Sequence, residues 1–383
     1  MPRVVMLLSN PYRPDPRVRR EALALREGGY DILLFAWDRE NSYPRRENLE
    51  GIEVRRIKLK CSYDSFLESS VKLPLLWMRM LTWLLSDRFE IVHCHDLDTL
   101  PLGLFVSKLK GRPCIFDAHE IYSAMVSESV PPWVGGLLRW VERTIVRGPE
   151  LVITVNESLS RIYRGMGARK VIVVMNCPSL KELAAGDPES VRRALGLEGK
   201  KVCLYAGMLE KSRNLDTLME VFDSLESENT VLVLGGYGSL IDHVVSRVSR
   251  SRNIIFVGWI GADEKSSYLS ASDVVVLLDD PRYKTKGLEI ATRLLEAIAL
   301  GVPVLVSDDT SNAEVVREEA IGLCVRYDDV EEIQTALHRL LYDTELRKSM
   351  IENCLRASRE RYSWEIMERR LVRAYRELLT QAP

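Results

Sequence analysis

The stretch from Lys286 to Asp309, KGLEIATRLLEAIALGVPVLVSDD, constrains this chain more than any other. It reads as a loop, a helix and a buried strand, in that order. Leu294, Leu295, Ile298 and Leu300 give the helix an apolar face, and Gly301 ends it. Pro303 opens the run Val304 to Val306, too short for a helix and β-branched at both ends. This succession suits one αβ unit of a parallel sheet. Three polar residues stand out against it. Glu289, Arg293 and Glu296 fall at i, i+4 and i+7, so a helix that begins by Glu289 lines them up on one stripe. A carboxylate in such a stripe can accept hydrogen bonds from a ribose diol, and an arginine can hold a diphosphate. The helix N-terminus adds donors for the same anion. The plainer reading is an exposed i, i+3 salt bridge beside an ordinary αβ unit.

The run Glu296-Ala-Ile-Ala-Leu-Gly301-Val-Pro303-Val-Leu-Val-Ser307 resembles the donor-site signature of glycosyltransferase family 4. Members of that family are retaining, GT-B-fold enzymes that take a sugar from a nucleotide diphosphate. The resemblance casts Glu296 as the ribose ligand. The family's pattern places a second Glu eight positions earlier, which here falls on Leu288; Glu289 comes one place late. Either the loop is shifted by one residue, or the donor sugar is held differently.

A chain of 383 residues has the length for two domains with two cores. Its net charge of −2 gives no reason to expect nucleic acid as a partner. None of the seven cysteines forms a CxxC pair, and several sit in apolar runs, so they read as reduced core residues of a cytoplasmic protein. The first strand begins almost at once, which leaves no room for a signal peptide. No apolar run approaches the roughly 20 residues of a membrane span.

The first half, residues 1–176, opens as βαβ. Val4 to Ser9 reads as a strand, Arg17 to Glu27 as a helix, Gly28-Gly29 as its stop and Asp31 to Ala36 as the next strand. No GxGxxG loop joins them; Pro11, Pro14 and Pro16 stand where family members often have a glycine-rich turn. Arg17, Arg19 and Arg20 fall in the first helical turn, where the dipole disfavours cations. They form either an anion site, such as one for an acceptor phosphate, or a solvated basic face. The stretch Phe66 to Leu85 is apolar nearly all round, with Trp77 and Trp83 and the edge cations Lys72, Arg79 and Arg88. It reads either as an interfacial helix making peripheral membrane contact through 72–85, or as a core-packed helix bordering the acceptor cleft.

Two polar clusters follow strand ends. Ile91 to His95 leads into Asp96-Leu-Asp98, and Pro113 to Ala118 leads into His119-Glu120. In an open α/β sheet, ligands bind at that edge. His93, His95, Asp96 and Asp98 also admit a weak metal reading. The resemblance implies that His119 lies beside the donor sugar's C6 hydroxyl near the reacting centre, and that Glu120 contacts the acceptor. Asp96 joins Arg17 as a candidate on the acceptor side. Trp133 to Val146 reads as a helix, and Asn156 as the cap of another. Asn176-Cys-Pro178 resembles the family's interdomain junction, with a linker at 177–200.

The second half, 201–363, repeats the alternation. Val202 to Ala206 is a strand, followed by Gly207-Met208 and then Lys211 and Arg213. The family has an arginine where Met208 stands and a basic residue near Arg213, both clamping the donor diphosphate. Two cations at a strand-to-helix turn also suit a phosphate on physical grounds. Gly235-Gly236-Tyr237-Gly238 lets the backbone approach a ligand. By resemblance Trp259 or Ile260 meets the nucleotide base, and the loop Asp279 to Lys284 faces the cleft. Residues 364–383 read as a final helix with an apolar stripe at Met367, Leu371, Ala374, Tyr375 and Leu378, and the resemblance implies that it crosses back to the first domain.

The expected architecture is α/β, a GT-B fold of two doubly wound Rossmann-like domains facing across a cleft. The resemblance implies retaining transfer from a UDP- or GDP-linked sugar to a glycan or lipid-linked acceptor. In that reading Glu296 holds the ribose, Lys211, Arg213 and Arg293 hold the diphosphate, and His119 and Glu289 orient the sugar. Gly236 and Trp259 complete the donor side. No metal or other cofactor is expected, and the departing phosphate takes the acceptor proton. The location expected is the cytoplasm, at the inner face of the membrane for a lipid-linked acceptor. Two rivals are a nucleotide-sugar epimerase of the same fold and a non-catalytic subunit with a decayed donor site.

Overall fold

The computed structural model describes residues 1–13, 15–62, 66–127, 130–183, 186–225, 229–283 and 288–381. Pro14, Lys284 and Lys286 lie outside them. The chain divides into two compact units, Met1–Met175 with Met367–Pro383, and Asn176–Ile366.

The first unit begins with β1 (Arg3–Leu7), α1 (Pro16–Glu27), β2 (Asp31–Asp38), β3 (Arg46–Leu49) and β4 (Ile52–Lys58). It continues with α2 (Phe66–Ser86), β5 (Ile91–His95), α3 (Leu100–Lys110), β6 (Cys114–Ala118) and α4 (Tyr122–Ser127). Then come α5 (Pro132–Ile145), β7 (Leu151–Thr154), α6 (Glu157–Met166) and β8 (Val171–Val173). The eight strands lie in the order β3-β4-β2-β1-β5-β6-β7-β8. All pairs are parallel except β3 with β4. The antiparallel edge strand β3 carries no apolar run, so the sequence reading passed over it. Asp15 caps α1 by accepting from Val18 N at 3.0 Å, with Pro16 just inside the helix. Strand order reverses between β1 and β5, which places the loops after β1, β5 and β6 around one crevice at the sheet's carboxyl edge.

The helix α2 turns its tryptophans inward. Trp77 donates to Asp98 O at 2.9 Å, and Trp83 packs on Phe35 with ring centroids 5.2 Å apart. Leu76, Met80 and Leu84 are buried with them. Both tryptophans cited for the interfacial reading of 72–85 thus serve the core, while Leu75, Met78 and Leu85 of the same helix stay exposed. No helix among the described residues is long and apolar enough to cross a membrane.

The second unit runs α7 (Pro188–Leu195), β9 (Lys201–Met208), a 3-10 turn (Lys211–Arg213), α8 (Leu215–Asp223), β10 (Thr230–Tyr237) and α9 (Ile241–Val248). It continues β11 (Ile254–Gly258), α10 (Ala262–Ser270), β12 (Val274–Leu277), α11 (Thr292–Leu300), β13 (Val304–Ser307) and α12 (Ser311–Glu319). It closes with β14 (Gly322–Val325), α13 (Val330–Tyr342) and α14 (Thr344–Glu360). Its six parallel strands are ordered β11-β10-β9-β12-β13-β14, so the reversal falls between β9 and β12. The stretch read as a linker belongs to this unit. Leu197 is fully buried, and Arg192 pairs with Asp273 at 3.2 Å.

The last helix, α15 (Trp364–Gln381), groups with the first unit from Met367 onward. Its stripe of Met367, Leu371, Ala374, Tyr375 and Leu378 is buried. Arg370 donates to Val173 O at 2.7 Å, and Tyr375 meets Tyr30 edge to face at 5.7 Å.

Candidate functional site

In the second unit a cavity of about 360 Å³ opens at the carboxyl ends of β9, β10 and β12 and the start of α11. Its floor is glycine for a packing reason. A Cβ at Gly236 (φ 153°) would meet Gly207 O at 1.8 Å, and one at Gly235 would meet Ile260 Cδ1 at 2.3 Å. Gly236 is therefore already required by the close approach of β9 and β10, whereas Gly235 makes room for the side chain of Ile260.

Four cations were candidates or emerge here, and their surroundings differ. Arg213 lines the cavity, but its Nη1 donates to Asp279 at 2.6 Å, so its charge is balanced within the protein. Lys211 is exposed on the 3-10 turn and does not line the cavity. Arg293 does line it, in the first turn of α11, and makes no ion pair with any described carboxylate. Its guanidinium sits 5.0 Å from the Tyr205 ring centroid, and its Nη1 is buried without a hydrogen-bond partner. A Cβ at Gly207 would lie 2.3 Å from that Nη1, so glycine is what lets the guanidinium settle there. Met208, where the family pattern has arginine, is partly exposed on the same wall.

The helix α11 starts at Thr292, with the Ala291 amide donated to Asn312 Oδ1 at 2.9 Å. Glu289 therefore lies ahead of the helix and lines the cavity from a loop, and the three-residue stripe does not form. Glu296 is one turn deeper. Its Oε1 accepts from Lys265 Nζ at 2.9 Å, while its Oε2 is buried with no partner. Lys265 lines the cavity, and nothing in its spacing within α10 had marked it. Trp259, 65% exposed, stands at the rim edge to face with Tyr237 at 6.3 Å, another residue the sequence reading passed over.

In the first unit, the crevice edge holds a buried polar network centred on Asp117. Arg17 donates to both its oxygens, at 3.0 and 2.6 Å, and to Val174 O at 2.8 Å. The same guanidinium lies 2.9 Å from Glu21, which is fully buried. Arg17 therefore does not wait for an external phosphate: its charge is consumed inside the fold. Burial alone would raise the Asp117 pKa, but Arg17 and His119 hold it well below the usual carboxylate range. Burial together with the Asp117 charge pushes the Glu21 carboxyl up to about 8.

His95 Nδ1 lies 3.1 Å from Asp117, and His93 stacks on His95 at 4.1 Å and bonds Tyr375 OH at 2.6 Å. The histidines that admitted a metal reading are thus engaged in this network. Glu21, His93, His95 and Asp117 do bring ligand atoms within 4.8 Å of one another. The positive charge there is already the guanidinium of Arg17, and a divalent ion beside it would meet strong repulsion.

His119 stands between two carboxylates. Its Nε2 is 2.7 Å from Asp117 Oδ2 and its Nδ1 is 3.4 Å from Asp96 Oδ1. Each ring nitrogen needs a proton to face a carboxylate, so this geometry selects the imidazolium. Burial works against that charge, but Asp117 and then Asp96 overcome it and raise the pKa to about 9. Asp96 holds its place in the left-handed region, at φ 62°. The side chain read as an acceptor contact thus faces His119. Glu120 is half-buried, and its carbonyl accepts from Tyr163 OH at 2.9 Å.

The comparisons with known proteins agree with this architecture. The family described as Glycosyl transferases group 1 matches residues 187–356, and the Glycosyl transferase 4-like domain matches residues 14–177. The chain is 25% identical over 365 residues to an uncharacterized glycosyltransferase of Methanocaldococcus jannaschii, covering 90% of this chain and 89% of that one. It is 23% identical to the phosphatidyl-myo-inositol mannosyltransferase of Mycobacterium leprae, covering 80% and 78%. Among solved structures, Anabaena HepE in complex with UDP superposes with a TM-score of 0.74 at 14% identity, covering 98% of this chain and 100% of that one.

Proposed function

We propose that this chain, which belongs to the group 1 glycosyl transferases, moves a sugar from a nucleotide diphosphate to an acceptor with retention of configuration. The observation that carries the reading is Arg293: an arginine with no carboxylate partner among the described residues and a buried, unpartnered Nη1, set in a cavity at the carboxyl edge of a parallel sheet. A cation in the first turn of a helix is disfavoured by the dipole unless an anion joins it. A diphosphate supplies that anion, and the free amides of the α11 N-terminus point the same way.

Each residue then has a part. Arg293 carries the charge that grows on the leaving diphosphate, and Arg213 assists from its pair with Asp279. Glu296 Oε2 accepts from the ribose diol while Lys265 orients the carboxylate. Trp259 and Tyr237 flank the base, which is uracil or guanine in this proposal. Glu289 from its loop orients the donor sugar, the His119 imidazolium serves the transfer from the crevice of the first unit, and the departing phosphate takes the acceptor proton. The acceptor is a glycan or a lipid-linked saccharide; the M. leprae relative, by its name, acts on a phosphatidyl-inositol lipid. The reaction is placed in the cytoplasm, in keeping with seven cysteines that form no disulfide. Met208 on the cavity wall favours one other reading, a subunit with a weakened donor site; binding separates the two.

Calorimetric titration with UDP and GDP, and with their sugars, tests the donor site. Glu296→Ala is expected to weaken binding by more than about 1.4 kcal/mol, roughly tenfold, because a charged acceptor is lost. An unchanged dissociation constant would remove Glu296 from the site. The absence of any binding to the native protein would favour the decayed subunit, and turnover without an acceptor the epimerase.

The His119 charge gives a pH dependence with a definite sign. Its pKa in the folded protein lies above the ordinary 6.5, so the imidazolium and its share of stability are complete below that value and are lost as pH rises through about 9. The alkaline limb of kcat/KM is expected near that pH, and Asp96→Asn should move it toward neutrality. A limb that ignores Asp96→Asn would sever this link.

A further inference from the structure

We infer that α5 docks this protein on an anionic lipid surface. Trp133, Leu137 and Trp140 recur at i, i+4 and i+7 along the helix and are 73%, 51% and 66% exposed. Rings of that size at that exposure are uncommon on a surface that meets only water. The outward side of the helix also carries Arg139 and Arg143, and neither is ion-paired to a described residue. The one acid on α5, Glu142, is fully buried. An exposed face with tryptophan, leucine and unpaired arginine, and without acid, has the composition of a helix that lies in a lipid interface. Its charge is complementary to anionic headgroups.

The outward facing is fixed by the fold. Glu142 accepts from the amides of Tyr122 and Ser123, each at 3.1 Å, and from Tyr163 OH at 3.0 Å. Rotating α5 to hide the tryptophans would strip three donors from a buried carboxylate. A Cβ at Gly135 would lie 2.7 Å from Ser127 Oγ, so this side of the helix lies tight against α4. Other exposed apolar residues of the same unit are Val71 and Met78 of α2, at 71% and 59%, and Phe105 and Leu109 of α3, at 55% and 59%. The buried residues of α2 and α3 and the end of α5 belong to one core cluster on one face of the first sheet. The lipid contact therefore sits on other residues than the tryptophans of 72–85.

Vesicle binding needs neither donor nor acceptor, so its outcome is independent of the reaction proposed above. The full chain is expected to co-sediment with vesicles of phosphatidylglycerol mixed with phosphatidylcholine and to leave vesicles of phosphatidylcholine alone in suspension. Trp133→Ala with Trp140→Ala should cut the partition coefficient roughly tenfold or more at an unchanged melting temperature, since both rings are exposed. Arg139→Glu with Arg143→Glu should remove the preference for the anionic lipid. Two results would overturn the inference: failure of the native protein to bind the phosphatidylglycerol vesicles, or a dimer in sedimentation that Trp140→Asp disperses, which would make this face an interface between copies.

Discussion

Arg17→Met is expected to destabilise the first unit by about 3–5 kcal/mol, because it leaves Asp117 charged and buried without its principal partner. The loss is large against a typical total stability of roughly 5–15 kcal/mol. For a unit of this size it corresponds to a fall in melting temperature of roughly 6–20 °C. Thermal unfolding followed by near-ultraviolet circular dichroism measures it. The opposite result is equally definite: an arginine that served an acceptor phosphate would leave the melting temperature in place and raise KM. The double variant Arg17→Met with Asp117→Leu separates the charge from the packing. It should recover much of the stability, since a buried pair replaced whole by apolar groups costs little. It should not recover activity, because His119 then loses the carboxylate 2.7 Å from its Nε2.

Arg293→Met is expected to lower kcat/KM by roughly 10²–10³-fold while the protein stays folded. Methionine keeps most of the stem and removes only the charge, so the drop reports on the diphosphate. Lys211→Ala, on the exposed turn, should change kcat/KM less than about threefold. Of the three cations that the sequence reading named for the diphosphate, Arg293 is thereby set ahead of Lys211. Met208→Arg placed in the Arg293→Met background tests the exchange directly. Both positions border Gly207 and the same cavity, so a second-site arginine is expected to restore part of the lost rate. Equal activity of Arg293→Met and the native enzyme would take the diphosphate away from this wall of the cavity.

Much of the fold was legible without coordinates, and the limits of that reading were physical. The alternation of short β-branched runs with amphipathic stretches specified two largely parallel sheets, because such runs bury as strands and the stretches between them cover the sheet as helices. The signature around Glu296, by resemblance, named the activity class. Local pattern could not give the start of α11: Asn312, from a later helix, captures the Ala291 amide, and Glu289 is left in a loop.

Orientation was the other thing that neighbours decided. Arg17 looked like a surface cation, since nothing local shows that Asp117, a hundred residues on, closes over it. The helices α2 and α5 each carry apolar residues on more than one side, so their sequences permit several rotations. Packing on Phe35 and Asp98 turned Trp77 and Trp83 inward, and the three donors to Glu142 turned Trp133 and Trp140 outward. The sequence by itself determined which segments form sheets and helices and, by resemblance, the class of activity. Only the tertiary structure decided which charges are spent inside the fold and which remain for a ligand, because a charge's availability depends on partners that are distant in sequence and adjacent only after folding.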